Sequence, residues 1–166
     1  GLVRLQTLYS FVGALIGLIL AAPVMLVVTI LVRLTSKGPI LYRQERVGLN
    51  GKTFFLYKFR SMYVDAEAQT GPVWAQKNDP RVTPLGRWMR KLRLDELPQF
   101  FNVLRGEMAL AGPRPERPAF CKILSEKINF YHQRHLVKPG ITGWAQINHP
   151  YTDSLYGFPG GGAHQA

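Results

Sequence analysis

Phe11-Val12-Gly13-Ala14-Leu15-Ile16-Gly17-Leu18-Ile19-Leu20-Ala21-Ala22-Pro23-Val24-Met25-Leu26-Val27-Val28-Thr29-Ile30-Leu31-Val32 contains no charged side chain. As a helix it would extend about 33 Å at 1.5 Å per residue, enough to cross a bilayer core of about 30 Å. A cleaved signal peptide fits poorly, because the apolar run is too long and no small-residue cleavage site precedes a mature start. A buried helix of a soluble protein would be unusually long and uniformly apolar. Pro23 falls near the middle, where it removes a backbone hydrogen bond and kinks the helix. Both flanks are basic, with Arg4 before and Arg33 and Lys37 after. Positive charge favours the cytoplasmic side of a membrane. Two topologies satisfy this pattern: a spanning helix, and a re-entrant one that bends at Pro23 and returns to the same face.

At 166 residues the chain is one domain with room for a real core. Its 46% hydrophobic content excludes disorder. Lys and Arg number 21 against 10 acidic residues, a formal charge of +11. That excess must meet an anion: nucleic acid, a membrane surface or a phosphorylated substrate. The single cysteine, Cys121, excludes an internal disulfide and reads as a packed thiol. The chain begins at Gly1 rather than Met, as a piece of a longer protein would.

Gly38-Pro39 breaks the chain after the apolar stretch. Residues 40–47 and 53–60 are rich in β-formers and flank the turn signal Gly48-Leu49-Asn50-Gly51, which predicts a β-hairpin. In its second strand Phe55, Tyr57 and Phe59 share one face; Leu56, Lys58 and Arg60 share the other. Lys58 and Arg60 then project together, as a solvated face or as a phosphate-facing pair. Residues 62–70 read as a short helix ended by Gly71-Pro72, and Asn78-Asp79-Pro80-Arg81 as a turn. Over 85–93, Leu85, Trp88, Met89 and Leu92 recur at helical spacing, with Arg87, Arg90, Lys91 and Arg93 on the other faces. Such a basic amphipathic helix suits an anionic membrane surface, or is a surface helix with a core stripe.

Arg90-Lys91-Leu92-Arg93-Leu94-Asp95-Glu96-Leu97-Pro98-Gln99 sets two adjacent carboxylates behind three cations. Pro98 is tolerated in the first turn of a helix, and Phe100, Phe101, Val103 and Leu104 continue an apolar face. Asp95 and Glu96 are therefore predicted at a helix N-terminus, where free N–H groups and the helix dipole favour negative charge. Held among arginines, such a carboxylate stays ionised and can act as a nucleophile or hold a divalent cation. The plainer reading makes Asp95 only an N-cap.

Met108-Ala109-Leu110-Ala111 reads as buried. In Gly112-Pro113-Arg114-Pro115 two prolines restrict the backbone around Arg114, whose guanidinium suits bidentate phosphate binding, although most such stretches are only turns. A helix is predicted from Arg117 to about Asn129. His132 and His135 lack further ligands nearby and read as surface residues, not a zinc site. Lys138-Pro139-Gly140-Ile141-Thr142-Gly143-Trp144-Ala145-Gln146 reads as a glycine-rich loop able to approach a ligand closely. The tail, with Pro159-Gly160-Gly161-Gly162, reads as flexible.

The motifs are more specific together than singly. Lys58-Phe59-Arg60-Ser61-Met62, Asn78-Asp79-Pro80-Arg81, Leu94-Asp95-Glu96-Leu97-Pro98-Gln99, Asn102-Val103-Leu104, Gly112-Pro113-Arg114-Pro115 and Lys138-Pro139-Gly140-Ile141-Thr142-Gly143 occur in this order. Over residues 8–152 the chain resembles the bacterial sugar transferases, the monotopic phosphoglycosyl transferases that begin polysaccharide and glycoconjugate assembly. The resemblance implies transfer of a sugar phosphate from a UDP-sugar to undecaprenyl phosphate with release of UMP. It implies an Asp–Glu dyad, Asp95 and Glu96, that also holds Mg²⁺, and substrate-binding cations at Lys58, Arg60, Arg90 and Arg114. It favours the re-entrant topology and a place on the cytoplasmic face of the bacterial inner membrane, among its lipids.

The expected fold is mainly α with a small β-hairpin (α+β). Residues 1–36 would form the re-entrant membrane helix, 37–152 the membrane-associated cytoplasmic catalytic domain, and 153–166 a tail unlike the family. Two residues depart from the family pattern: Ala22 precedes Pro23 where serine is common, and Ala109 stands where another serine is common. Arg114-Pro115-Glu116-Arg117-Pro118 is closer to the larger members, which carry membrane helices and a further domain upstream, so the chain reads as their catalytic part. Two other classes fit the totals. A membrane-tethered nucleic-acid binder would explain the charge but lacks a recognition motif. A non-catalytic assembly factor would explain the apolar segment but not the dyad. The sequence names neither the sugar nor the polymer, and leaves homo-oligomer formation open.

Overall fold

The computed structural model describes residues 2–64, 66, 68, 71 and 79–143. It opens with a single helix, α1 (Leu2–Thr35), with Pro23 inside it. The part from Leu5 to Thr35 is long and apolar enough to cross a membrane. At 1.5 Å per residue the helix is about 50 Å long. Leu5, Leu8, Ile16, Ile19, Leu20, Leu26 and Leu34 stay largely exposed on it.

The opposite face of α1 carries small residues and docks on the rest of the chain. Ser10 and Ala14 are buried there. A Cβ on Gly17 would stand 2.8 Å from the Phe100 ring, and one on Gly13 would stand 2.6 Å from the Leu110 side chain. Glycine is therefore what lets the helix approach so closely. Nearer its C-terminal end, Val28 and Val32 are buried with Phe59 and Met89, and Met25, Leu94 and Leu97 pack against them. Toward the N-terminal end Ala14 joins Leu56, Val103 and Met108.

The predicted hairpin is present as β1 (Leu41–Val47) and β2 (Thr53–Phe59), antiparallel with Leu41 opposite Phe59 and Val47 opposite Thr53. Asn50 and Gly51 take positive φ in the turn. The expected apolar face of β2 is split: Phe55 is exposed and Phe59 buried. Met62, the first residue of the expected 62–70 helix, instead bridges Val82, and most of that stretch lies outside the described residues. Asp79 to Arg81 do turn, with the Asp79 carboxylate accepting from both the Arg81 amide (3.0 Å) and its guanidinium (2.8 Å).

Helix α2 (Pro84–Lys91) starts where the sequence supplies its signals. Thr83 caps it by accepting from the Gly86 amide at 2.9 Å, and Pro84 takes the first position. Only part of its apolar stripe is core. Met89 is buried and Leu85 packs against the same core, whereas Trp88 and Leu92 are 66% and 56% exposed, so the core-stripe reading covers half of the stripe. After α3 (Gln99–Leu104) comes β3 (Ala109–Ala111), then α4 (Pro118–Lys127), close to its predicted span.

The predicted glycine loop is in part a strand. Gly140–Thr142 forms β4, parallel to β3, with Ala109 opposite Gly140 and Ala111 opposite Thr142. A Cβ on Gly140 would stand 2.1 Å from the Gly112 nitrogen, so here glycine admits another backbone rather than a ligand. The architecture is mixed helix and small sheet, as expected, with this second pair added. The predicted tail, 153–166, lies outside the described residues.

Candidate active site

Asp95 and Glu96 do not sit in the first turn of an α-helix, as the sequence predicted. They occupy a separate 3-10 turn, Leu94–Glu96, and Pro98 caps the α3 helix that follows. The turn is positioned by what flanks it: Leu94 and Leu97 pack into the core under α1, and Pro98 is fully buried. Arg93, just before the turn, has φ +56°, a left-handed conformation that costs a non-glycine residue energy. Both carboxylates are buried, at 6% and 7% exposure.

The opposite wall is β2, fixed by Asn102 of α3. That side chain is wholly buried; it donates to the Phe55 carbonyl at 2.7 Å and accepts from the Tyr57 amide at 3.1 Å. This pins the strand one residue short of Lys58, whose Nζ then lies 3.1 Å from Glu96 Oε1. Arg114 Nη2 approaches the same oxygen at 3.4 Å, and Arg93 approaches Glu96 Oε2 at 3.6 Å.

The two carboxyl groups are driven apart. Burial raises Glu96, but Lys58 and Arg114 outweigh it and hold the group below the usual carboxylate range. For Asp95 burial dominates, Glu96 adds to it, and the opposing pull of Lys58 and Arg90 is smaller, so its carboxyl is raised. Burial also lowers Lys58, against the raising effect of Glu96. A buried carboxylate pushed one way beside a partner pushed the other is a recurrent arrangement for chemistry.

Lys58, Arg114 and Glu96 are therefore brought together, as the sequence predicted for one site. Arg90 joins through its field on Asp95, with its Nε on Ser61 Oγ at 2.9 Å. Arg60 goes elsewhere: its Nη2 donates to Ser36 O (2.7 Å) and Oγ (2.6 Å) just beyond the end of α1. A shallow cleft adjoins the dyad, lined by Arg46, Lys58, Gln99, Arg114, Gly140 and Ile141. Arg46 and Gln99 were not foreseen. Arg46 is a cation inside a run of β-formers, and its ion pair with Glu116 (3.5 Å) joins residues far apart in the chain, so the sequence carried no signal for it.

Asp95 and Glu96 are the adjacent carboxylates that could hold a divalent cation such as the expected Mg²⁺. Magnesium is commonly bound by one or two carboxylates together with substrate phosphates, and no larger cluster of metal-ligating side chains exists among the described residues. Glu96 is occupied by three cations, whereas the raised Asp95 carboxyl would be relieved by a cation.

The site is two buried carboxylates ringed by a larger number of cations, on a body docked along a helix apolar and long enough to cross a membrane. The chain belongs to the bacterial sugar transferase family, which matches residues 3–157. It is 49% identical over 142 residues to the UDP-N-acetylgalactosamine-undecaprenyl-phosphate N-acetylgalactosaminephosphotransferase of Aeromonas hydrophila, covering 86% of this chain and 33% of that protein. It is 47% identical over 143 residues to the undecaprenyl-phosphate glucose phosphotransferase of Komagataeibacter xylinus, covering 84% and 27%. With the UDP-glucose:undecaprenyl-phosphate glucose-1-phosphate transferase of Escherichia coli (strain K12) the identity is 48% over 139 residues, covering 84% and 30%. The chain thus spans a third or less of the length of these three relatives. The family assignment does not favour the nucleic-acid and assembly-factor readings.

Proposed function

We propose that this chain transfers a sugar 1-phosphate from a UDP-sugar to undecaprenyl phosphate, releasing UMP, through a covalent intermediate on Asp95. The observation that carries this is the split dyad: Glu96 is held by Lys58, Arg114 and Arg93, while Asp95 has its carboxyl raised beside it. A carboxylate of raised pKa is the better nucleophile of the two, and Glu96 is tied to its cations. Asp95 attacks the β-phosphorus, the bond from that phosphorus to the bridging oxygen breaks, and UMP departs with the electron pair. An oxygen of undecaprenyl phosphate then attacks the same phosphorus and the bond to Asp95 breaks. Lys58 and Arg114 neutralise charge gathering on the transferring phosphoryl group. Asp95 and Glu96, together with the donor's phosphates, would hold Mg²⁺, which would supply further charge neutralisation there.

The test separates two half-reactions. With UDP-sugar alone, about one equivalent of UMP per site should appear, and the Asp95 peptide should gain one sugar phosphate. A chain that gives no burst yet turns over once undecaprenyl phosphate is added would exclude Asp95 as nucleophile. The relatives' names divide between glucose and N-acetylgalactosamine, so both donors belong in the assay.

For topology we favour re-entrance from the cytoplasmic face of the inner membrane. Supporting it, α1 touches the same body near both ends. Gln6 donates to the Ala111 carbonyl (3.4 Å) and Ser10 Oγ accepts from the Leu110 amide (3.3 Å), while Ser36 holds Arg60. From Ser10 to Ser36 is about 39 Å along a helix, more than a bilayer core. A straight crossing would leave one set of these polar contacts on the far side. In a Cys121→Ser background, cysteines before Gly1 and at Lys37 should both label from the cytoplasm. Periplasmic labelling of the first would overturn re-entrance.

A further inference from the structure

Four consecutive carbonyls of the segment that presents Arg114 are held by four different donors. Pro113 O accepts from the Gly140 amide (3.0 Å) and Glu116 O from the Val47 amide (2.9 Å). Between them Arg114 O accepts from Arg134 Nη2 (2.6 Å) and Pro115 O from Arg46 Nη1 (2.9 Å). The segment has no helix or strand of its own. Its prolines fix their own φ and bias the residue before each, but they do not aim the Arg114 side chain. The anchored carbonyls settle the backbone on either side of it.

Of the two side-chain donors, Arg46 lines the cleft and has a place in binding. Arg134 does not, and it is itself braced. Its Nη1 donates to the Tyr131 hydroxyl at 2.7 Å, and its guanidinium carbon lies 4.9 Å from the Tyr131 ring centroid. Tyr131 is buried against Phe120 and Leu124 of α4. A continuous line of contacts runs from that satellite core through Tyr131 and Arg134 to the Arg114 backbone, and from the Arg114 guanidinium to Glu96.

We propose that Arg134 is a positioning residue: locked on Tyr131, it holds the Arg114 carbonyl so that the Arg114 guanidinium meets Glu96 and the transferring phosphoryl group. This rests on the proposed role of Arg114. Charge-assisted bonds to a carbonyl are stronger than neutral ones, so loss of Arg134 loosens the segment without opening the core.

The test uses this chain in lipid nanodiscs, with Arg134→Met, Arg134→Lys, Arg114→Ala, the Arg114→Ala/Arg134→Met double variant, and Lys127→Met as a charge-matched control. Arg134→Met should lower kcat for UMP release at least about tenfold, with KM for the UDP-sugar changed less than about threefold. Lysine should restore most of it, Lys127→Met should match wild type, and the double variant should be no slower than Arg114→Ala alone. A second readout needs no activity. Amide exchange at Val47 and Gly140, which donate to the same segment, should speed up at least about tenfold in Arg134→Met, with the Arg87 amide of α2 unchanged. Wild-type kcat in Arg134→Met, multiplicative losses in the double variant, or unchanged exchange at Val47 and Gly140 would overturn the proposal. A wild-type chain that releases no UMP would instead sink the functional reading, and the exchange result would still decide whether Arg134 is the clamp.

Discussion

Lys58 and Arg60 leave the chain two residues apart and end in opposite settings. Lys58 stands in a cleft where Arg46 and Arg114 share the space and Glu96 is the carboxylate that meets it. Burial lowers its pKa and Arg114 lowers it further, against the raising effect of Glu96, so Lys58 holds its charge at a cost that an arriving anion would relieve. Arg60 stands at the seam between β2 and the end of α1, where Ser36 offers a carbonyl and a hydroxyl. These neutral acceptors take Nη2 and tie the two elements together, while the buried Nε and Nη1 have no hydrogen-bond partner among the described residues. A site for a diphosphate needs the opposite: cations that repel one another until an anion arrives. Sequence alternation alone, which set both residues on one face, could not tell these two settings apart.

The largest effect that bears on this contrast is at the cleft. Asp95→Asn keeps the shape and removes the charge; UMP release should fall at least about a thousandfold, and burst and adduct should vanish. Stability should move the other way. A carboxyl raised in the fold contributes stability fully below its unfolded value of 3.8, and that contribution is lost as pH rises through the folded value. At neutral pH the ionised Asp95 is therefore a cost, and Asp95→Asn should melt higher than wild type, the gap closing as the pH approaches 3.8. A variant that melts lower at neutral pH would show that Asp95 supports the fold and is not held against it.

Lys58→Met comes next. Transition-state charge stabilisation of this kind is typically worth about a hundredfold. Because Lys58 lowers both carboxyl groups, its loss should move the acid limb of the UMP-release profile to higher pH. A hundredfold loss with the limb unmoved would mean that Lys58 touches only the substrate.

Much of this site was legible in the sequence, and the missing part has a physical reason. The resemblance, more than any single residue, put Asp95, Glu96, Lys58 and Arg114 in one site: Pro98 behind the carboxylates and Pro113 and Pro115 around the arginine are weak local marks, and Lys58 had only strand alternation. The hairpin followed from β-formers about a turn, and α2 from Thr83, Pro84 and its periodicity. What stayed hidden depends on pairings between distant parts of the chain. Strand β4 exists only because Gly112 and Gly140 let two backbones meet, which no local pattern announces. Arg46 and Arg134 each reach a carbonyl that lies well away from it in the sequence. The direction of the Asp95 shift was also hidden, since it follows first from burial in the fold and then from Glu96, and not from the neighbouring arginines that suggested an easily ionised group.

At the seam the expected effect is smaller on chemistry and larger on the fold. Arg60→Met removes two bonds from a charged donor to part-buried acceptors, and should cost about 1.5–3 kcal/mol of stability. UMP release per folded molecule should stay within about threefold of wild type, because no part of Arg60 reaches Glu96. A collapse in rate at unchanged stability would return Arg60 to the substrate-binding role that the sequence suggested.

The smallest expected effect tests whether Glu96 depends on depth or merely on number of cations. Arg93 also pairs with Glu96, at 3.6 Å, but its side chain is 51% exposed, against 16% for Lys58. Exposed pairs are typically worth about 0–1 kcal/mol, since water screens them and ordering two long side chains costs entropy. Arg93 also carries a left-handed backbone, φ +56°, that glycine adopts without steric penalty. In Arg93→Gly the lost pair and the added unfolded-chain entropy are set against relief of that strain, so stability should change by no more than about 0.5 kcal/mol. Activity should fall less than about threefold, and raising the salt concentration should shrink even that difference. If Arg93→Gly instead moved the acid limb as far as Lys58→Met, the charge on Glu96 would be set by the number of cations around it and not by the one buried beside it.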